Sequence, residues 1–274
     1  MGGFTMEPTS GVSVGIKGLP AAKPQSPDVV LPAPVCRFEN FLGAAAADAL
    51  LDLAISRQAD FARGTVMDPL TGELSYKGRE SLVLPADVPD FLQRLADCLP
   101  QATALLGLEH PLSQATTVLT AHGSGGHFDI HTDAIKVTDV ATALSAVYYL
   151  HRRPRPFTGG HLKLYDTLLR DGQPGRAETY RVIEPDHDTI VFFPASTFHE
   201  VTTSTCPTGH FGDHRFTLTT WLSTTGTPPA PQPTSPVLRA MAQAAEHTRP
   251  LPGLSRAHHG ATPRPLPPPT TGTR

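Results

Sequence analysis

Apolar and polar residues alternate along the chain with two different periods. Between Phe41 and Phe61 the apolar positions Ala47, Leu50, Leu51, Ala54 and Ile55 recur at steps of three and four, the stripe of an amphipathic helix. Phe91, Leu92, Leu95, Leu99 and Leu105 continue that period across 90–106 and predict a second helix. Pro100 is expected to kink or split it, because its ring removes one N–H and crowds the preceding turn. From residue 115 the texture changes. "TTVLTAH" (116–122), "GGHLKLY" (159–165) and "HRFTLTTWL" (214–222) read as strands. "LSAVYYL" (144–150) and "DTIVFFPAS" (188–196) are almost continuously apolar, as in strands covered on both faces. A further short strand is expected at 81–84. Helices followed by many short strands with Gly and Pro turns predict an α+β domain, with N-terminal helices flanking a jelly-roll or barrel core.

The two ends lack this patterning. Of 29 prolines in 274 residues, twelve fall in 227–274 and six in 1–34, so only a short helix at 237–247 is suggested there. We therefore expect a flexible tail over 1–30, one domain over 31–226 and a disordered Pro-rich tail over 227–274. The formal net charge of -3 gives no polyanion-binding bias and argues against a nucleic-acid partner. Arg239, Arg249, Arg256, Arg264 and Arg274 read as solvated tail charge. No signal-peptide core and no run of 18 apolar residues occurs, so neither secretion nor a membrane span is expected. Cys36, Cys98 and Cys206 are odd in number and far apart; they form no disulfide framework and fit a reducing cytoplasm.

The candidate chemistry starts in "HFDIHTD" (127–133), which contains His-x-Asp twice. In an extended strand His127, Asp129, His131 and Asp133 share one face, so alternation alone does not choose between the two pairs. A third ligand type, His199, follows the apolar run ending in "FFPAS". Two His and one carboxylate are the facial triad of non-haem Fe(II) oxygenases. Arg215 opens a strand that otherwise reads as core, and a buried cation there needs an anionic partner. Other combinations are weaker. Cys206, His210 and His214 have helical spacing, but Pro207, Gly209 and Gly212 argue against the helix a zinc site would need. Arg152, Arg153 and Arg155 read as a solvated turn, and His258–His259 as incidental. Tyr148 should point away from Tyr149, into the core.

In order, "HGSGGHFDIHTD", "VYYLH", "GGHLKLY", "IVFFPASTFHEV" and "RFTLTTWL" resemble the Fe(II)/2-oxoglutarate-dependent dioxygenases of the prolyl-hydroxylase-like branch. The group acting on a small-subunit ribosomal protein is the most similar. The resemblance covers 115–222 and, more loosely, 35–222. It implies a double-stranded β-helix. In that family the first metal His lies nine residues after the aromatic that opens the glycine turn. Counting from His122, this selects His131 and Asp133 over His127 and Asp129, with His199 as the distal ligand. The resemblance further implies that Arg215 holds the distal carboxylate of 2-oxoglutarate, that Tyr149 donates to it, and that Thr219, on the Arg215 face, assists. His122 replaces the usual Tyr and must take over its contact or lose it. His151 replaces the usual Asn, and the sixteen positions from His199 to Arg215 are more than in compact members.

The implied cofactors are Fe(II), 2-oxoglutarate and O2, with ascorbate as a possible accessory. The implied reaction couples decarboxylation to succinate and CO2 with hydroxylation of an unactivated C–H bond. A carboxylate at 133 leaves no coordination position for halide and argues against a halogenase. The substrate is expected to be a prolyl residue or proline-like amino acid, in a peptide or as a small molecule. A free amino acid or secondary-metabolite intermediate is the alternative, because this fold changes substrate through its loops. A non-catalytic, cupin-like metal or small-molecule binding module is the reading from another class. Oligomeric state has no signature in the sequence.

Overall fold

The computed structural model describes residues 28–225, apart from 68–71, 109–111, 138–139 and 172, together with a strand at 248–250. The helix suggested at 237–247 and the pair His258–His259 lie outside the described residues.

Two antiparallel sheets make the core. We number the strands used below in chain order: β1 (Val29–Leu31), β2 (Cys36–Glu39), β3 (Ala62–Arg63), β4 (Arg79–Glu80), β5 (Leu82–Pro85), β6 (Gln114–His122), β7 (His127–His131), β8 (Val140–Leu150), β9 (Leu162–Arg170), β10 (Gln173–Ile183), β11 (Thr189–Pro194), β12 (His199–Val201), β13 (Arg215–Thr225) and β14 (Thr248–Pro250). The larger sheet runs β2-β11-β8-β13-β6-β5-β3, with β14 on the start of β6 and a short Lys136–Val137 strand on the start of β8. The smaller sheet runs β1-β9-β12-β7-β4, with β10 on β9. This architecture is consistent with a jelly-roll.

Alternation sorts the larger sheet into two faces. On its outer face Tyr148, Ile190, Phe192, Phe216 and Leu218 join one apolar cluster with two helices, α1 (Ala44–Ser56) and α2 (Pro89–Leu106). The helices bury the stripe read from the sequence: Ala47, Leu51 and Ala54 from α1, and Phe91, Leu92, Leu95 and Leu99 from α2. On its inner face Val147, Tyr149, Val191 and Phe193 meet Leu162, Leu164 and Ile183 of the smaller sheet. Tyr148 and Tyr149 therefore belong to different cores.

The structure refines three of these expectations. Pro100 does not split α2, which runs unbroken from Pro89 to Leu106. An interior proline costs about 3 kcal/mol, but Leu95, Leu99 and Ala102 are fully buried around it, and each buried Leu contributes about 1.5–3 kcal/mol. The Thr103 hydroxyl also donates to the Leu99 carbonyl at 2.8 Å. The basic tip is an exposed turn, as expected, and its arginines also form surface ion pairs: Arg152 with Asp213, Arg153 with Asp48 and Arg155 with Glu184. Finally, the strand containing "HFDIHTD" stops at His131, so Asp133 is not part of its alternation. Opposite it, Val201 pairs with Phe128 and His199 with His131, and the register shifts between the two pairs. That irregularity brings Phe128 and His131 together as stacked rings, with centroids 3.7 Å apart.

Among the described residues, no helix is long and apolar enough to cross a membrane.

Candidate metal and cosubstrate site

His131 and His199 end up adjacent because they are direct partners across the β7–β12 ladder. Asp133 reaches them from the turn after β7, where its N–H donates to the Ala195 carbonyl at 2.9 Å. The Ser145 hydroxyl, on the inner face of β8, donates to Oδ2 of Asp133 at 2.6 Å and fixes the carboxylate. Ligand atoms of the three side chains all lie within 4.8 Å of one another. Nε2 of His131 is 3.6 Å from Oδ1 of Asp133, and Nε2 of His199 is 3.5 Å from Oδ2.

The donor set fits a divalent metal. Nδ1 of His131 lies 2.7 Å from the Asp129 carbonyl, and Nδ1 of His199 lies 2.9 Å from that of Thr197. A carbonyl only accepts, so each Nδ1 carries the proton and each Nε2 is left with its lone pair. Burial, reinforced by the neighbouring His199, pushes the His131 pKa down, which keeps the ring neutral as ligation requires.

His127 and Asp129 are placed elsewhere. The His127 ring bonds the Gly125 carbonyl at 2.8 Å, its Nε2 is 4.0 Å from Asp129, and the Asp129 side chain is 73% exposed. Neither lines the cavity that contains the His-Asp-His cluster.

That cavity continues along β13. Arg215, Thr217, Thr219 and Trp221 alternate along its wall, with Thr120 and His122 on the neighbouring β6. Arg215 is at the deep end and only 2% exposed. No carboxylate pairs with it among the described residues; its Nη1 instead meets Nδ1 of His122 at 3.2 Å. Since a guanidinium can only donate, His122 accepts at Nδ1 and carries its proton on Nε2. Burial first, then the charges of Arg215 and Arg79, hold the His122 pKa well below its usual value, so the ring is neutral. The Tyr149 ring lies 5.1 Å from the guanidinium, behind Arg215 rather than on the cavity wall. Burial raises its phenol to about 12.

Among the described residues, three buried donors here have no well-formed hydrogen bond: Nε of Arg215, Nε2 of His122 and the Tyr149 hydroxyl. Each such group carries a desolvation penalty, and even with the Tyr149 oxygen facing the guanidinium the site has more N–H and O–H donors than acceptors and one full positive charge, which calls for an anion. Glycine makes room for the Arg215 side chain. Gly160 has φ +67°, and a Cβ there would sit 2.6 Å from Cδ of Arg215.

The comparisons with known proteins agree with this geometry. Residues 117–223 match the family model of the 2OG-Fe(II) oxygenase superfamily. They form a 2OG-Fe(II) oxygenase domain. Over 209 residues the chain is 28% identical to an uncharacterized PKHD-type hydroxylase of Synechocystis sp., covering 74% of this chain and 67% of that protein. Among solved structures, a Pseudomonas putida prolyl-4-hydroxylase superposes with a TM-score of 0.51 at 21% identity, covering 71% of this chain and 94% of that one. A Trichoplax adhaerens prolyl hydroxylase, in complex with a hypoxia inducible factor peptide fragment, gives 0.50 at 18% identity, covering 69% and 83%. At these identities the structures show a shared fold. The oxygenase domain is a 2-oxoglutarate-dependent dioxygenase, and its family uses Fe(II), 2-oxoglutarate and O2.

Several residues that line or support the site were not singled out from the sequence. Thr217 and Trp221 follow from Arg215 by strand alternation and were legible. Strand alternation puts Phe128 on the face opposite His131, and the register shift defeats that rule. Arg79 and Ser145 had no signal: Arg79 sits on a two-residue strand, and Ser145 lies in an apolar run.

Proposed function

We propose that the oxygenase domain hydroxylates an unactivated C–H bond of a prolyl residue or proline-like amino acid, releasing succinate and CO2. In this reading His131, Asp133 and His199 hold Fe(II). Arg215 anchors the distal carboxylate of 2-oxoglutarate, with Tyr149, His122 and Thr219 around it. The observation that carries the proposal is the juxtaposition of a preformed His-Asp-His cluster with three buried donors that lack a well-formed hydrogen bond among the described residues. A module that only bound metal would have no use for a buried, carboxylate-free arginine one layer behind the ligands. The iron supplies activation of O2 when bound. The chain's own part is to orient 2-oxoglutarate through Arg215, keep the two Nε2 lone pairs free, and bury the site from water.

The prolyl component is supported by the fold shared with prolyl hydroxylases. We place the catalytic unit at 31–226, a double-stranded β-helix flanked by α1 and α2, with 1–30 and 227–274 as appendages. Two short ladders join the tails to it: Val29–Leu31 on Leu169–Thr167, and Thr248–Pro250 on Thr116–Gln114. The test is succinate formation from 2-oxoglutarate with and without proline, prolyl peptides and other amino acids, coupled to a mass-spectrometric search for the gain of one oxygen atom. A chain of 31–226 should turn over like the full chain. Metal binding without any substrate-dependent succinate would favour the cupin-like reading.

A further inference from the structure

The cavity holds a second arginine that neither the metal cluster nor the 2-oxoglutarate anchor uses. Arg79, on β4, lines the same wall as His131 and Arg215. It is positioned on three sides. Nε donates to the Ser81 hydroxyl at 2.7 Å, Nη1 donates to the Thr65 carbonyl at 3.3 Å, and the guanidinium lies 4.8 Å over the Phe128 ring. Phe128 in turn stacks on His131. Gly64 clears the space, since a Cβ there would sit 2.8 Å from Nε of Arg79. Nη2 is left with no hydrogen bond, and no carboxylate lies within ion-pair distance of Arg79 among the described residues. Burial lowers the Arg79 pKa to about 10, with Asp133 as the opposing influence, so the group is charged at neutral pH.

Charge balance gives this residue its meaning. In the loaded site, Fe(II), Asp133, Arg215 and the two carboxylates of 2-oxoglutarate sum to neutrality. Asp133, the acidic neighbour of Arg79, is by then committed to the metal. Arg79, which is partly buried, therefore presents a positive charge with no protein counter-ion among the described residues to the cavity, and a substrate anion that excludes water there gains from pairing with it. The ligand that can pair with it locally is a carboxylate of the substrate, whose own ammonium, where it has one, lies away from the guanidinium.

We propose that Arg79 is a specificity-determining residue that binds a free carboxylate of the substrate. It follows that the preferred substrate is an amino acid or a peptide ending in the reacting residue, rather than an internal residue of a protein. This rests on the hydroxylase reading above and narrows it. A carboxylate paired with the Nη2 edge sits one ring stack from His131. A small cyclic amino acid held there lies between Arg79 and the metal cluster, with Trp221 and Val147 as the remaining walls.

The test uses matched acid and amide pairs: L-proline and L-prolinamide, glycyl-L-proline and its amide, and L-leucine and L-leucinamide as a non-prolyl pair. Binding to the anaerobic Fe(II)- and 2-oxoglutarate-loaded full chain is measured by calorimetry, and succinate formation in air. At least one acid should be favoured over its amide by about 10- to 100-fold, the worth of a charge-assisted pair. Arg79→Met, which keeps the stem over Phe128, should abolish that preference while leaving 2-oxoglutarate affinity unchanged. Arg79→Lys should restore part of the preference. Equal affinity for acid and amide across all pairs, or no binding by any of them, overturns the proposal. An acid preference that survives in Arg79→Met overturns it too. An acid preference confined to the leucine pair would leave the role of Arg79 standing and sink the prolyl reading. Equal turnover of acid and amide in the prolyl pairs would do the reverse.

Discussion

The Tyr148 hydroxyl donates to Oδ1 of Asp188 at 2.8 Å, on the face of β8 opposite the Tyr149 hydroxyl, which donates to no acceptor among the described residues. The Asp188 carboxylate also accepts from the N–H groups of Leu42 and Gly43 at 2.8 and 3.0 Å, at the entry to α1. Two adjacent tyrosines thus serve different ends. Tyr148→Phe should lower stability by about 1.5–3 kcal/mol, the worth of a bond to a charged acceptor, and leave 2-oxoglutarate affinity alone. Tyr149→Phe should shift stability by less than about 1 kcal/mol, because its hydroxyl donates to no such acceptor, yet weaken 2-oxoglutarate binding about two- to tenfold. Urea denaturation and cosubstrate titration of both variants check the contrast.

Substitution of His131, Asp133 or His199 by Ala should abolish stoichiometric iron binding, read by metal analysis after desalting. His127→Ala should retain iron, since His127 bonds the Gly125 carbonyl and faces away from the cluster. Iron loss in His127→Ala, with retention in His131→Ala, would show that the ligand register is wrong.

Arg215→Ala should weaken 2-oxoglutarate binding by at least about tenfold, equivalent to roughly 1.5 kcal/mol, with iron affinity little changed. Arg215→Lys should recover part of the loss as a point charge without the fork. Gly160→Ala should act in the same direction from a distance, because its methyl would press on Cδ of Arg215. Identical titrations for wild type and Arg215→Ala would exclude this residue as the anchor.

The buried histidines set a pH dependence. His122 has its folded pKa well below the ordinary 6.5, chiefly through burial, and burial also lowers those of His151, His187 and His214. Below pH 6.5 the unfolded chain takes up protons that the folded chain does not. Stability therefore falls as pH drops from about 6.5 toward the folded values. The urea midpoint of the metal-free protein should decline between pH 7 and 5, and His122→Asn should flatten that decline. A midpoint that rises over this range would contradict the burial argument.

What the sequence revealed depended on how many faces of an element are buried. β8 and β11 carry continuous apolar runs and were legible because both faces meet a core. β10 was not, since most of its side chains, including Arg176, Glu178, Tyr180 and Val182, face solvent or an exposed edge. The order of the motifs pointed to the metal cluster and to Arg215, and the structure brings those side chains into one cavity. Arg79 escaped notice because its place beside Phe128 depends on a ladder between β4 and β7, segments far apart in sequence. No local pattern encodes such a pairing.

The cross-strand partnership of His131 and His199 makes the cluster a preorganised chelate. Loop-closure entropy for these distant positions is lost when the strands zip together, before any ion arrives. An incoming ion would then meet little conformational resistance beyond shedding its own water. Iron should therefore be stripped by a chelator and restored repeatedly without passing through an unfolded chain, unlike small zinc modules that exist only around their metal.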